Sequence, residues 1–232
     1  PTTALISPAA LFSLLQAPAS PAATAPVILD ASWYQPFMKR DAPAEFRAAH
    51  VPTARFLSID DPAFTAADTA LPHMLPSSAD DVARAGRLLG RLGVHPTEGI
   101  VVAYAKDGFV ASARVWWALR AMGFPARRVK VLDGGLAAWV AAGLPVESGA
   151  VDVPEDVGGL EPPVGSPELR SGAGSGLVVG LEDVLKFGKG DREGVVVIDT
   201  RSKGRFHGTE PEPRPGLVGG HVPGSVVVPY TE

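Results

Sequence analysis

The sequence predicts an α/β protein with mainly parallel sheets flanked by helices, arranged as two tandem copies of which the second is incomplete within these 232 residues. Three observations predict it. Short apolar runs such as Val27-Ile28-Leu29 and Ile100-Val101-Val102 alternate with segments of helical periodicity, the pattern of strands buried on both faces and joined by helices. A stretch over 149–176, rich in Gly and Pro and without sustained periodicity, reads as a linker. Beyond it the opening pattern returns, which marks an internal repeat of a whole domain.

Each element has its own local reason. Ser7-Pro8 supplies an N-cap with Pro at the first helical position, and Leu11, Leu14 and Leu15 then share a face. Val27 to Asp30 is a buried strand ending in a carboxylate. Residues 43–49 read as a helix that stops at His50-Val51-Pro52. Ser78 to Leu92 is an amphipathic helix with Val82, Ala85, Leu88, Leu89 and Leu92 on one side and Asp80 and Asp81 in its first turn. Ile100 to Tyr104 is a second buried strand, followed by a short loop and a helix carrying Val115, Trp116, Leu119 and Met122. Val129 to Leu132 is a third strand. The turn Asp133-Gly134-Gly135 leads into a helix around Trp139, which stops at Gly143-Leu144-Pro145.

In the second copy, Leu177-Val178-Val179 and a helix over 181–187 echo the opening. Val195 to Asp199 echoes Val27 to Asp30, and His221-Val222-Pro223 echoes His50-Val51-Pro52. The Asp-to-His spacing is 20 residues in the first copy and 22 in the second. The expected organisation is a first domain over 1–148, a linker over 149–176, and the front of a second domain over 177–232. From His50 to Gly149 the first copy runs 99 residues, whereas 11 run from His221 to Glu232, so about 88 residues of the second copy are expected elsewhere, as a further C-terminal fragment or a second polypeptide.

Composition narrows the function classes. With 46% hydrophobic and 20% charged residues the chain is globular rather than disordered. A net charge of -4 argues against a general nucleic-acid or anionic-membrane surface. No cysteine is present, which excludes disulfides, thiolate zinc sites and a thiol nucleophile within these residues. No group of His, Asp and Glu has metal-ligand spacing, and neither a metal nor another cofactor is expected. Residues 1–29 lack Lys and Arg, so they carry neither the basic start of a secretory signal nor the Arg-rich face of a transit peptide, which leaves open a presequence removed before Pro1, and no apolar run is long enough to cross a bilayer. The expectation is a soluble intracellular protein.

Five segments, in this order, carry a family pattern: Leu29-Asp30-Ala31-Ser32-Trp33; His50-Val51-Pro52; Leu71-Pro72-His73-Met74-Leu75-Pro76; Val131-Leu132-Asp133-Gly134-Gly135-Leu136-Ala137-Ala138-Trp139; and Gly204-Arg205-Phe206-His207-Gly208-Thr209-Glu210-Pro211-Glu212-Pro213-Arg214. Together they resemble the tandem-rhodanese sulfurtransferases, in particular the 3-mercaptopyruvate branch, with the thiosulfate enzymes as near relatives. The resemblance runs from about Leu5 to Glu232. Thr53 stands where the family usually has Gly.

The resemblance implies two rhodanese domains, the first inactive and the second bearing a cysteine on a tight strand-to-helix loop. That cysteine takes sulfur from a small anionic donor, 3-mercaptopyruvate or thiosulfate, as a persulfide and passes it to a thiol or cyanide. Backbone N–H groups of the loop and the following helix N-terminus would lower the thiol pKa. The equivalent loop of the first domain is 105–110, with Ala105 at the cysteine position, so the nucleophile is expected outside this chain.

The same resemblance assigns the supporting groups. Arg205 and Arg214 would bind the donor, since guanidinium forks suit a small carboxylate or a sulfur oxyanion; from spacing alone the simpler assignment is two loop arginines bridging Glu210 and Glu212. Arg214 points to mercaptopyruvate, because thiosulfate enzymes tend to lack it. Asp60 and His73 would relay a proton, together with a Ser on the absent loop; without the family pattern His73 reads as a loop residue capping local backbone. His50 and His221 open turns present in both copies and read as architectural. The compartment is expected to be the cytoplasm or the mitochondrion. The alternative from another class is a non-catalytic rhodanese-fold binding or scaffold module, which the absence of cysteine favours. A phosphatase of the same architecture is a weaker third reading, because it would need the same cysteine and a longer anion loop.

Overall fold

Two four-residue apolar strands build the centre of the fold. In β2 (Val27–Asp30) and β4 (Val101–Tyr104) successive side chains point to opposite faces of the sheet, and both faces are covered. The computed structural model describes residues 3–17, 24–65, 75–76, 78–95, 97–107, 110–151, 179–188, 194–213 and 216–230. The chain divides into two compact units, Pro1–Ser171 and Gly172–Glu232.

The first unit carries a five-stranded sheet in the order β1-β5-β4-β2-β3, with β1 at Leu5–Ile6, β3 at Arg55–Phe56 and β5 at Val129–Leu132. All its pairings are parallel. Val27 lies opposite Val101 and Asp30 opposite Tyr104, so the two central strands end together. On one face Leu29, Val101 and Ala103 pack with α3 (Ala79–Arg91) and α4 (Val110–Ala121) through Leu88, Leu89, Val115 and Leu119. On the other face Ile28, Val102 and Tyr104 pack with α1 (Pro8–Gln16), α2 (Ala42–Ala48) and α5 (Gly135–Ala141) through Leu11, Phe46, Leu136 and Trp139. Burial on both faces explains why these strands read as continuous apolar runs.

The helices start where their caps are. Ser7 Oγ accepts the Ala10 N–H at 3.3 Å, and Asp41 Oδ1 accepts the Ala44 N–H at 2.9 Å. At α3 the cap is reciprocal: Asp81 N–H donates to Ser78 Oγ at 3.0 Å while Ser78 N–H donates to Asp81 Oδ2 at 3.2 Å. Trp139 is fully buried, and its Nε1–H donates to the Pro145 carbonyl at 2.7 Å, which ties the end of α5 to the chain leaving it.

The second unit contains α6 (Leu181–Gly188), β6 (Ile198–Asp199), α7 (Lys203–Phe206) and β7 (Val226–Val227), with β6 and β7 parallel. Its geometry repeats that of β2-α2-β3. Asp30 lies opposite Phe56 and Asp199 opposite Val227. In each unit an imidazole stacks on the phenylalanine of the intervening helix, His50 on Phe46 at 4.2 Å and His221 on Phe206 at 3.8 Å between ring centroids. In each, Nδ1–H donates to that phenylalanine's carbonyl at 2.8 Å. His50 and His221 are therefore held as framework groups.

The strand expected over Val195–Asp199 is shorter, two residues, because β7 offers it a partner only at Ile198 and Asp199. The two-residue strands β1, β3 and β7 and the short helix α7 have no counterpart in the sequence expectation. The expected linker falls almost wholly outside the described residues, as do Leu177 and Val178. No helix among the described residues is long and apolar enough to cross a membrane, and these residues hold no metal-binding group of His, Asp and Glu.

Candidate functional site

A strand that ends in Asp and turns within two residues places an acid at the strand's C-terminal end. Both units do this. Asp30 Oδ1 accepts the Ser32 N–H at 2.8 Å, and Asp199 Oδ1 accepts the Arg201 N–H at 3.0 Å. The two turns differ in the side chain that closes them. In the second unit the turn residue is Arg201, whose guanidinium folds back on Asp199, with Nε 3.0 Å from Oδ1 and Nη2 2.5 Å from Oδ2. Nη2 also donates to the Gly220 carbonyl at 2.7 Å, and Nη1 to Glu212 Oε1 at 2.7 Å.

Glu212 joins Arg201 to Arg205. Its Oε2 accepts from Arg205 Nη2 at 2.6 Å and from Nε at 3.2 Å. Arg205 sits on α7, which is capped by Ser202 Oγ at 3.3 Å from the Arg205 N–H. Asp199, Arg201, Glu212 and Arg205 thus form one alternating chain of charge. The Arg201 hydrogen bonds hold the Asp199 carboxyl below its ordinary range, and those of Arg205 do the same for Glu212. Both acids remain carboxylates at neutral pH, and both guanidiniums remain oriented.

In the first unit the position before the stacked phenylalanine is Glu45, where the second unit has Arg205. Glu45 is gripped by the Nε–Nη2 edge of Arg40 in a forked bond, Nε to Oε1 at 2.8 Å and Nη2 to Oε2 at 2.6 Å. The Tyr34 hydroxyl donates to Oε2 at 2.8 Å, and Lys106 Nζ lies 3.9 Å from the same oxygen. These partners hold the Glu45 carboxyl down at about 2, chiefly through Arg40. Arg40 also pairs with Asp107. Lys106 donates its backbone N–H to Ser32 Oγ at 2.8 Å and its Nζ to the Glu45 carbonyl at 3.1 Å. Ala105, at the end of β4, is buried and accepts the Leu136 N–H at 3.2 Å. The segment 105–107 is therefore pinned, and a carboxylate of the chain already fills its cationic fork.

Of the expected site residues, two lie among the described ones. Asp60 follows β3 in the first unit, where Trp33 Nε1–H donates to its Oδ2 at 2.6 Å and Ser58 Oγ accepts its backbone N–H at 3.1 Å. Arg205 lies in the second unit, on α7 rather than a loop, and is joined to Glu212, whereas Glu210 accepts from Ser202 Oγ. His73 and Arg214 fall outside the described residues. Sequence reasoning missed Arg201. The signal for it was the Asp199-x-Arg201 turn, one residue pair different from Asp30-x-Ser32. It also missed the Tyr34, Arg40, Glu45 and Lys106 cluster, whose members converge only after folding.

Comparison with known proteins shows which family the chain resembles in sequence and fold. A family model described as "Rhodanese-like domain" matches residues 19–142. The rat 3-mercaptopyruvate sulfurtransferase (Rattus norvegicus) is 38% identical, with 92% of this chain and 65% of the relative covered. For the human protein (Homo sapiens) the figures are 38%, 88% and 62%, and for the mouse protein (Mus musculus) 37%, 99% and 70%. The chain thus spans somewhat under two thirds of the rat and human relatives. Among solved structures, SseA from Escherichia coli, described as a 3-mercaptopyruvate sulfotransferase of rhodanese fold, matches with a TM-score of 0.73 at 30% identity, covering 100% of this chain and 76% of that one. Tum1 from Saccharomyces cerevisiae matches at 0.74 and 29%, covering 100% and 71%.

Proposed function

The chain belongs to the rhodanese sulfurtransferase family, and from that premise we propose that it is part of an enzyme moving sulfur from 3-mercaptopyruvate, or from thiosulfate, to a thiol or cyanide. In the proposed step a cysteine thiolate attacks the donor sulfur, the carbon–sulfur bond breaks, and its electrons leave as the enolate of pyruvate, which is then protonated. The product on the protein is a persulfide, which the acceptor discharges. The cysteine is not among these 232 residues; in this reading it belongs to residues outside them that complete the second domain. Arg205, with Arg214, holds the donor carboxylate. Asp60 and His73 relay the proton that the enolate requires.

The observation that carries the reading is the contrast between copies at one position. Where the first unit places Glu45, itself clamped by Arg40, the second places the Arg205 guanidinium on a capped helix. A guanidinium at the second position can donate hydrogen bonds to an anionic donor, whereas the carboxylate at the first offers it no N–H. Location in the cytoplasm or mitochondrion is part of the same reading; a relative from Arabidopsis thaliana is named as mitochondrial.

The test is pyruvate release from 3-mercaptopyruvate with cyanide or a thiol as acceptor. The 232 residues alone should release none, and the protein completed by a cysteine-bearing segment should turn over. In the completed protein Arg205→Ala should raise KM about tenfold or more with a smaller change in kcat. Unchanged kinetics in Arg205→Ala would remove the clamp. The second reading, a non-catalytic rhodanese-fold binding module, is favoured by the complete absence of cysteine. It stands if no completed form turns over.

A further inference from the structure

The second unit contains one acid whose place the proposed chemistry does not explain. Glu212 brings a negative charge beside the guanidinium assigned to an anionic donor, where simple electrostatics would exclude one. Its side chain is nearly inaccessible, 4% exposed, so it is built in rather than incidental. Pro211 and Pro213 flank it in sequence, and two fixed φ angles leave its backbone little freedom. Its two oxygens are divided between two arginines, Oε1 for Arg201 and Oε2 for Arg205.

The edge of Arg205 that is used decides the matter. A guanidinium presents two edges able to take a carboxylate in a forked bond: Nε with Nη2, and Nη1 with Nη2. Glu212 takes the first. Among the described residues, no hydrogen bond involves Nη1. Arg205 keeps about a quarter of its side chain exposed. A long flexible side chain held by one edge has already lost the rotamer freedom that ligand binding would otherwise cost.

We propose that Glu212 is a positioning residue, which fixes the Nε–Nη2 edge of Arg205 and leaves the Nη1–Nη2 edge set for the carboxylate of the sulfur donor, with Arg201 bracing Glu212 through its other oxygen. The proposal deepens the assignment of Arg205 to the donor and rests on it. Arg201 is itself anchored on Asp199 and on the Gly220 carbonyl, so the orientation of Arg205 is transmitted from the end of β6. The first unit has Ser32 in place of Arg201 and Glu45 in place of Arg205, so it has no such relay.

The test uses the full chain and pyruvate, which carries the donor's carboxylate and has no sulfur to transfer. Two variants separate geometry from charge. Glu212→Gln removes the negative charge, and Arg201→Lys keeps every charge while losing the fork. If Glu212 positions Arg205, both weaken pyruvate binding about tenfold, and both speed exchange of the Arg205 Nε–H nuclear magnetic resonance signal, which should exchange slowly in the parent. If Glu212 acts only through charge, Glu212→Gln tightens binding and Arg201→Lys leaves it unchanged, which overturns the proposal. Should Glu212→Gln not fold, Arg201→Lys decides alone. Arg205→Ala separates the two levels. Loss of binding in Arg205→Ala with neutral Glu212→Gln and Arg201→Lys overturns positioning only. No binding by the parent, or none lost in Arg205→Ala, overturns the donor assignment and this proposal with it, even where the Nε–H signal shows the clip intact.

Discussion

Thr53 has a φ of 65°, a left-handed backbone that a β-branched residue rarely adopts. Its N–H donates to Glu147 Oε2 at 2.9 Å, which helps hold it there. Gly224, at the equivalent point of the second copy, has a φ of 78° without the same cost. Relief of left-handed strain is worth about 1–2 kcal/mol, and the extra freedom of glycine in the unfolded chain returns about 0.4–1 kcal/mol of that. Thr53→Gly should therefore stabilise the protein by about 0.5–1 kcal/mol, read as a rise in the midpoint of urea unfolding. A second residue-scale prediction concerns Glu45. Its folded pKa of about 2 lies below the ordinary 4.5, mainly through Arg40. A depressed acid contributes stability that is complete above its unfolded pKa and is lost as pH falls through the folded one. Glu45→Gln should thus be less stable than the parent at pH 7, and the gap should close between pH 4.5 and 2. A gap independent of pH, from urea unfolding across that window, would count against the Arg40 grip as its source.

At the scale of elements, legibility followed length and caps. The helix α3 was readable because Ser78 and Asp81 form a reciprocal cap and the apolar positions 85, 88, 89 and 92 fall on one face. The strands β1, β3 and β7, of two residues each, carry no period for a sequence to show; their register against longer strands creates them. For the same reason the site was only partly legible. Arg205 stood out within a distinctive segment, whereas Arg201 acquires its meaning from Glu212, eleven residues away, once the prolines turn the chain. The turn into α5 offers the clearest element-scale prediction. Gly135 has a φ of 58°, and a Cβ there would lie 2.2 Å from the Ala105 carbonyl oxygen. That oxygen belongs to backbone already bonded to Leu136 N–H, so it cannot yield cheaply. Gly135→Ala should cost about 2 kcal/mol or more, with the loss seen in thermal unfolding.

For the whole molecule, the tandem pattern was legible because its markers are backbone devices: an acid closing a strand, a Pro-turned corner, and a histidine on a phenylalanine. The charge inversion between copies was not, since Glu45 and Arg205 align only when the stacked rings are superposed. The β2-α2-β3 crossover also carries a kinetic consequence. Its pairing of Asp30 with Phe56 closes a short loop, as does that of Asp199 with Val227, whereas β1 must find Val131 from Leu5 across the length of its unit. Closure entropy rises with loop length, so the short crossovers form early and β1 seats late. Leu11, wholly buried in the helix after β1, reports on that step. Leu11→Ala should lose about 2–5 kcal/mol, expressed mainly as faster unfolding with little change in the folding rate. A folding limb slowed in proportion, by stopped-flow mixing, would reverse the order. During synthesis β1 is thus made long before it can settle, because Leu5 waits on Val131 for its partner.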